Sequence, residues 1–188
     1  MLPTAFPANQ QREQLYFCTV ISSEARNPSG FEISRRRAPR NDKAIEDFVK
    51  IRRQARAIAL QALYEIDCSG HPADQALQHL ATDENLSDEG VAFASDIVQG
   101  VRASTHELDA IIAKHAPEWP VDQLAIIDRN ILRIALYELQ HNEDVPIKVA
   151  INEAVELAKM FGSDTAPRFV NGVLGTFMQA HPAGELRH

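Results

Sequence analysis

Cysteine is scarce: the 188 residues hold two, Cys18 and Cys68, 50 positions apart. That spacing makes neither a metal motif nor a disulfide framework, and it fits two unpaired thiols in a reducing cytoplasm. Long apolar runs are missing too, so no transmembrane span of ~18 residues is expected. The best apolar stretch near the start, LYFCTVI at 15–21, is short, follows an acidic neighbour and lacks a basic lead, which excludes a signal peptide. No G-x-S-x-G, Walker or dinucleotide-binding glycine loop occurs. Seven histidines are present, but none forms H-E-x-x-H or lies at finger spacing from a cysteine, and His106 and His115 are too far apart on one helix to share an ion. Neither an enzyme nor a metal or cofactor site is expected.

What is present is ordinary in amount and uneven in placement. Apolar residues make up 45% and charged residues 24% of the chain, enough for a real core in one domain of normal size. Aromatics are few and Ala and Leu plentiful, which favours helix. The net charge is −7, yet residues 35–56 hold nine of the 19 Lys and Arg against three acids. That segment is +6 and the other 166 residues are −13. Such asymmetry hints at nucleic acid, and a solvated charge run remains the alternative.

Residues 1–42 carry Pro3, Pro7, Pro28 and Pro39 and no sustained period, so they read as a disordered extension, or as the product of an upstream start site. RRRAPR at 35–40 would add electrostatic attraction. Helical periodicity then persists. The first helix runs over 43–67, ended by Gly-His-Pro at 70–72, and the second over 73–82. Ser87 caps a long third helix whose stripe runs through Val91, Ala94, Ile97, Val98, Val101, Leu108, Ile111 and Ile112. The chain breaks at 117–120 around Trp119. A short helix at 121–127 is followed by one at 129–141 capped by Asp128. The next begins at Pro146 and is capped by Gly162, and the last covers 166–180. Gly172 and Gly175, inside that last pattern, suggest close helix packing. The fold class is all-α: two small three-helix bundles at about 43–116 and 119–180, with a tail at 181–188.

IRRQARAIALQALYEI at 51–66 carries the sharpest signal. Arginines at the start of a helix face the positive end of its dipole, where cations are disfavoured. At about 100° per residue, Arg52, Arg53 and Arg56 share one flank of the core face, and Leu60 and Tyr64 continue the line. Guanidinium groups followed by an aromatic ring suit single-stranded RNA, whose phosphates and bases they hold and stack. A solvated cluster beside a rim tyrosine is the plainer reading. Glu153, Glu156 and Lys159 look like a solvated helix face. Arg129, Arg133 and Tyr137 form a stripe read either as a flank tied to neighbouring acids or as a partner surface.

RRQARAIALQALYEID, the block ILRIALYELQHNEDVPIKVAINEAVELAKMFG and RFVNGVLG together resemble the NusB family of bacterial transcription antitermination factors, over about residues 50–179. The first 40 or so residues have no counterpart in the resemblance. It implies two three-helix bundles, no catalysis, and binding to the boxA element of nascent RNA. The implied partners are a NusE-like small-subunit ribosomal protein and, indirectly, other Nus factors and RNA polymerase. The family's arginine motif falls on Arg52, Arg53 and Arg56, with Tyr64 as a base contact. Its further RNA surface falls on Lys159, Phe161, Arg168 and Asn171. Two alternatives stay open: an accessory RNA-binding domain like those of ribosomal RNA cytosine methyltransferases, and a helical adaptor that binds no RNA.

Overall fold

The computed structural model describes residues 40–142 and 145–181, with side chains from residue 46 onward. Residues 1–39 of the expected extension, the turn residues Glu143 and Asp144 and the tail from residue 182 lie outside the described residues, while residues 40–42, expected in that extension, begin the first helix. Within them the chain is all-helical: α1 Arg40–Ser69, α2 Ala73–Asp83, α3 Asp88–Ala103, α4 Thr105–His115, α5 Ile126–His141, α6 Ile147–Phe161 and α7 Ala166–Ala180. A single 3-10 turn, Val121–Gln123, precedes α5. No described helix is long and apolar enough to cross a membrane.

Local chemistry sets most of these boundaries. Ser87 accepts a hydrogen bond from the Gly90 N–H at 3.3 Å, satisfying one of the orphan donors that begin α3. Gly70, at φ +69°, closes α1 by donating from its N–H to the Ile66 carbonyl at 2.9 Å. Gly162 ends α6 in extended backbone and needs no left-handed freedom. It is small for a packing reason, since a Cβ there would lie 2.5 Å from the Ala166 side chain and 2.8 Å from the Ala158 carbonyl.

Three expectations fail for local reasons. The long third helix is two helices, broken at Ser104. Thr105 Oγ1 donates back to the Val101 carbonyl at 2.8 Å, a bond that competes with the helix ladder. Asp128 does not cap α5, which starts at Ile126 with Ala125 before it. Asp128 lies in the first turn instead, with Oδ1 buried and unbonded among the described residues, and burial pushes its carboxyl above the ordinary range. Gly172 and Gly175 face open space rather than a neighbouring helix.

The close approach falls at Gly100, where a Cβ would run into the Tyr137 ring of α5. Gly100→Ala should therefore destabilise the fold by about 1–3 kcal/mol through overpacking. Urea unfolding would measure this, and an unchanged midpoint would show that the Tyr137 ring moves aside freely.

Helices α1, α2 and α3 pack on one another, as do α5, α6 and α7, and α4 lies against α5 and α7. One hydrophobic core runs through all of them. Its centre is α5, which touches α1, α3, α4, α6 and α7. Contact on so many sides buries Ile131, Leu132, Leu136 and Leu139 completely, and it buries the polar Asn130, Arg133 and Glu138 with them. Those polar groups must therefore find partners inside the protein.

Candidate nucleic-acid interface

The stripe on α5 finds its partners in acids of neighbouring helices. Arg133 grips Asp109 through Nε and Nη2, both at 2.8 Å, and reaches Asp67 at 3.1 Å through Nη1. Arg129 and Asn130 donate to the same Asp67 oxygen at 3.1 Å. The Tyr137 hydroxyl donates to Asp96. This stripe is a flank tied to acids, the plainer of its two readings.

The arginine motif lies elsewhere than its sequence suggests. Because α1 begins at Arg40, Arg52, Arg53 and Arg56 sit in the middle of a 30-residue helix. The dipole acts within the first and last turns, so it neither disfavours these arginines nor supplies a phosphate site.

Each arginine also has a different environment. Arg56 is 3% exposed. It donates to Glu138 of α5 from Nε at 2.9 Å and from Nη2 at 2.8 Å. Arg53 donates to Glu153 of α6 from Nε at 3.1 Å and from Nη2 at 2.7 Å, while half of its side chain stays in solvent. The hydrogen bond to Glu153, reinforced by the charges of Glu153 and Glu156, holds the Arg53 guanidinium above its ordinary pKa against the opposing effect of burial. Glu153 also approaches Arg56 Nη1 at 3.8 Å. The four side chains form one chain of alternating charge that sums to zero.

Arg52 has no carboxylate within ion-pair distance among the described residues. Its guanidinium carbon lies 4.6 Å from the Phe48 ring centre and 4.3 Å from that of Phe93. Two aromatic faces thus hold a cation whose charge is not cancelled. Phe93 also carries Arg56 at 5.2 Å.

Tyr64 differs from expectation as well. At 5% exposure it offers no open ring face, and Leu60 in the same sector is fully buried. The wheel treats α1 as a surface helix, but α2, α3 and α5 all pack against it and cover the sector beyond Arg56. Arg56 and Tyr64 thus lie beneath the surface in this structure.

Of the remaining candidates, Lys159 is exposed and paired with Glu156 at 2.7 Å, as a solvated face requires. Glu153, expected on that face, is buried instead. Phe161 is partly buried against the core at the end of α6. Arg168 and Asn171 are exposed on the first turns of α7. The structure therefore joins Arg53 and Arg56 through Glu153, with Glu138 closing on Arg56, and leaves the Lys159–Glu156 pair separate on the exposed face. It adds Phe48, one helical turn before Arg52 and so within reach of local spacing, and Phe93 and Glu138, which are distant in sequence; it also moves Glu153 into the site, since the arginines meet their acids 82 and 100 residues away. No group of three or more His, Cys, Asp or Glu that could hold a metal ion occurs among the described residues.

Similarities to known proteins cover this same region. The model of the NusB family matches residues 53–179. The transcription antitermination protein NusB of Dehalococcoides mccartyi strain CBDB1 is 50% identical over 129 residues, spanning 69% of this chain and 90% of the relative. That of Bacillus subtilis strain 168 is 48% identical over 123 residues, spanning 65% and 91%. A solved structure of antitermination factors NusB and NusE in complex with double-stranded RNA superposes with a TM-score of 0.64 at 27% identity, covering 70% of this chain and 98% of that one. With a buried arginine-acid cluster inside an all-helical fold, and with matches that span nearly the whole length of these relatives, this chain belongs to the NusB family.

Proposed function

We infer that this chain is a transcription antitermination factor that binds the boxA element of nascent RNA together with a NusE-like small-subunit ribosomal protein. By doing so it promotes read-through by RNA polymerase, and it reaches the polymerase and the other Nus factors indirectly. It is an RNA-binding factor and not an enzyme, and it works in the cytoplasm, where nascent transcripts are made. The observation that carries the RNA reading is Arg52, a cation held against two rings with no carboxylate within ion-pair distance among the described residues. A phosphate is the natural counter-charge for such a group.

Beside it, the half-exposed Arg53 contributes a second donor edge. Lys159, Arg168 and Asn171 extend the surface with charge and hydrogen bonds, and Phe161 adds apolar contact at the end of α6. Arg56 and Tyr64 serve from below as supports. Outside residues 35–56 the chain carries a net −13, so the contact is local rather than a general affinity for polyanions.

The test is a boxA RNA titration of an Arg52→Ala/Arg53→Ala double variant across a salt series. Each lost phosphate contact should reduce the salt slope by about 0.7 for a single strand, so about 1.4 in total, with weaker binding at every salt concentration. Wild-type affinity and slope would overturn the assignment of RNA to this face.

A further inference from the structure

We propose that Glu153 is a positioning residue for RNA recognition: its buried carboxylate fixes which edge of Arg53 meets the nucleic acid. This rests on the RNA-binding reading of the arginine face and adds a specificity determinant to it. A guanidinium carries five N–H donors in one plane. Glu153 takes two of them, on Nε and Nη2, at 3.1 and 2.7 Å. The donors left over are both hydrogens of Nη1 and the second hydrogen of Nη2, which form the end-on fork. That fork matches a pair of acceptors on a base edge, the kind of contact that carries sequence preference, while the charge behind it still counts against neighbouring phosphates.

The burial pattern points the fork outward. Glu153 has 6% of its side chain exposed and Arg53 has 49%, so the carboxylate sits beneath and the far edge of the guanidinium faces solvent. Glu153 is itself held in place, because Arg56 approaches it at 3.8 Å while remaining committed to Glu138. An arginine without this clamp would sample many rotamers and meet any phosphate equally well. A clamped one has already lost that freedom and presents a single donor pair.

Glu156 provides a control within the same helix. It too acts on Arg53 through its charge, but its hydrogen-bonded partner is Lys159, on the exposed face. Neutralising either glutamate raises the net charge by one, yet only Glu153 holds the Arg53 guanidinium.

The experiment uses the full chain with Glu153→Gln, Glu153→Asp, Glu156→Gln and Arg53→Ala. Each is titrated with boxA RNA and with a scrambled RNA of the same length over a range of salt. Glu156→Gln should bind both RNAs more tightly with an unchanged ratio between them. Glu153→Gln should lose about tenfold in that ratio, the order carried by one charge-assisted hydrogen bond. Glu153→Asp keeps the charge and shortens the reach, so its ratio should also fall, and it serves where the glutamine variant folds poorly. If both Glu153 variants keep the wild-type ratio, the carboxylate is only structural and the proposal fails. If Arg53→Ala leaves boxA binding unchanged, the RNA reading of Arg53 fails first and this proposal falls with it.

Discussion

Arg56→Ala is expected to lower the unfolding free energy by about 3–5 kcal/mol, the usual loss when one partner of a buried ion pair is removed. Arg56 and Glu138 are 3% and 1% exposed, and both oxygens of Glu138 accept from this one guanidinium, in three hydrogen bonds. Without it the carboxylate would stay in the core with neither water nor a counter-charge. Glu153 cannot help, since it is also an acid. A small domain holds only about 5–15 kcal/mol in total, so the variant should sit near its unfolding threshold. Urea unfolding followed by circular dichroism would measure this, and a loss below about 1 kcal/mol would show that water reaches the site. Substituting Arg56→Met together with Glu138→Leu should recover much of the loss, because the apolar pair leaves no charge stranded. Replacing all three arginines at once would therefore confuse unfolding with lost RNA contacts, and the Arg52/Arg53 pair is the cleaner probe.

Phe177→Ala should cost a similar amount, about 3–5 kcal/mol, by opening a cavity in the core. Phe177 is 1% exposed on α7. Its ring meets the edge of His115 at the end of α4, at 5.5 Å and 85°, and the ring of His181 at 4.6 Å. Burial, followed by the charges of Lys114 and His181, pushes the His115 imidazole below its ordinary pKa, which favours the uncharged ring in this aromatic contact. The ring thus fastens the last helix to α4. Its removal should lower the thermal midpoint and loosen α4 and α7 together. A drop of less than about 1 kcal/mol would mean that the two helices close over the gap.

Much of this fold was legible because helical periodicity is a local signal. Of the stripe read for the third helix, Ala94, Ile97, Val98, Val101, Leu108 and Ile112 are buried, while Val91 and Ile111 are only partly so. Ser87 and Gly162 stand where caps were expected. The break at Ser104 escaped because a threonine hydroxyl turning back on its own helix leaves no trace in apolar spacing. The arginine site was legible in residue type and misleading in arrangement. A wheel assumes one covered side, whereas α1 is enclosed by three helices from Ala55 to Tyr64. It also cannot show that acids from α5 and α6 arrive to neutralise two of the three arginines, because those contacts exist only after long-range packing.

The cancelled charge of the Arg53–Glu153–Arg56–Glu138 cluster has a consequence for speed. Diffusing RNA responds to the field of the whole protein, and fast, steered encounters of ~10⁸ M⁻¹s⁻¹ need a strong unbalanced potential of the right sign. Here two arginines are neutralised from within and the chain as a whole carries −7. Capture from dilute solution should therefore be slow, near the unsteered ~10⁵–10⁶ M⁻¹s⁻¹. A partner that holds the protein beside an emerging transcript would replace that search with a high local concentration. On this view, cooperation with a ribosomal protein supplies encounter as well as affinity, and the sparse charge of the arginine face keeps the factor from being caught on other RNA along the way.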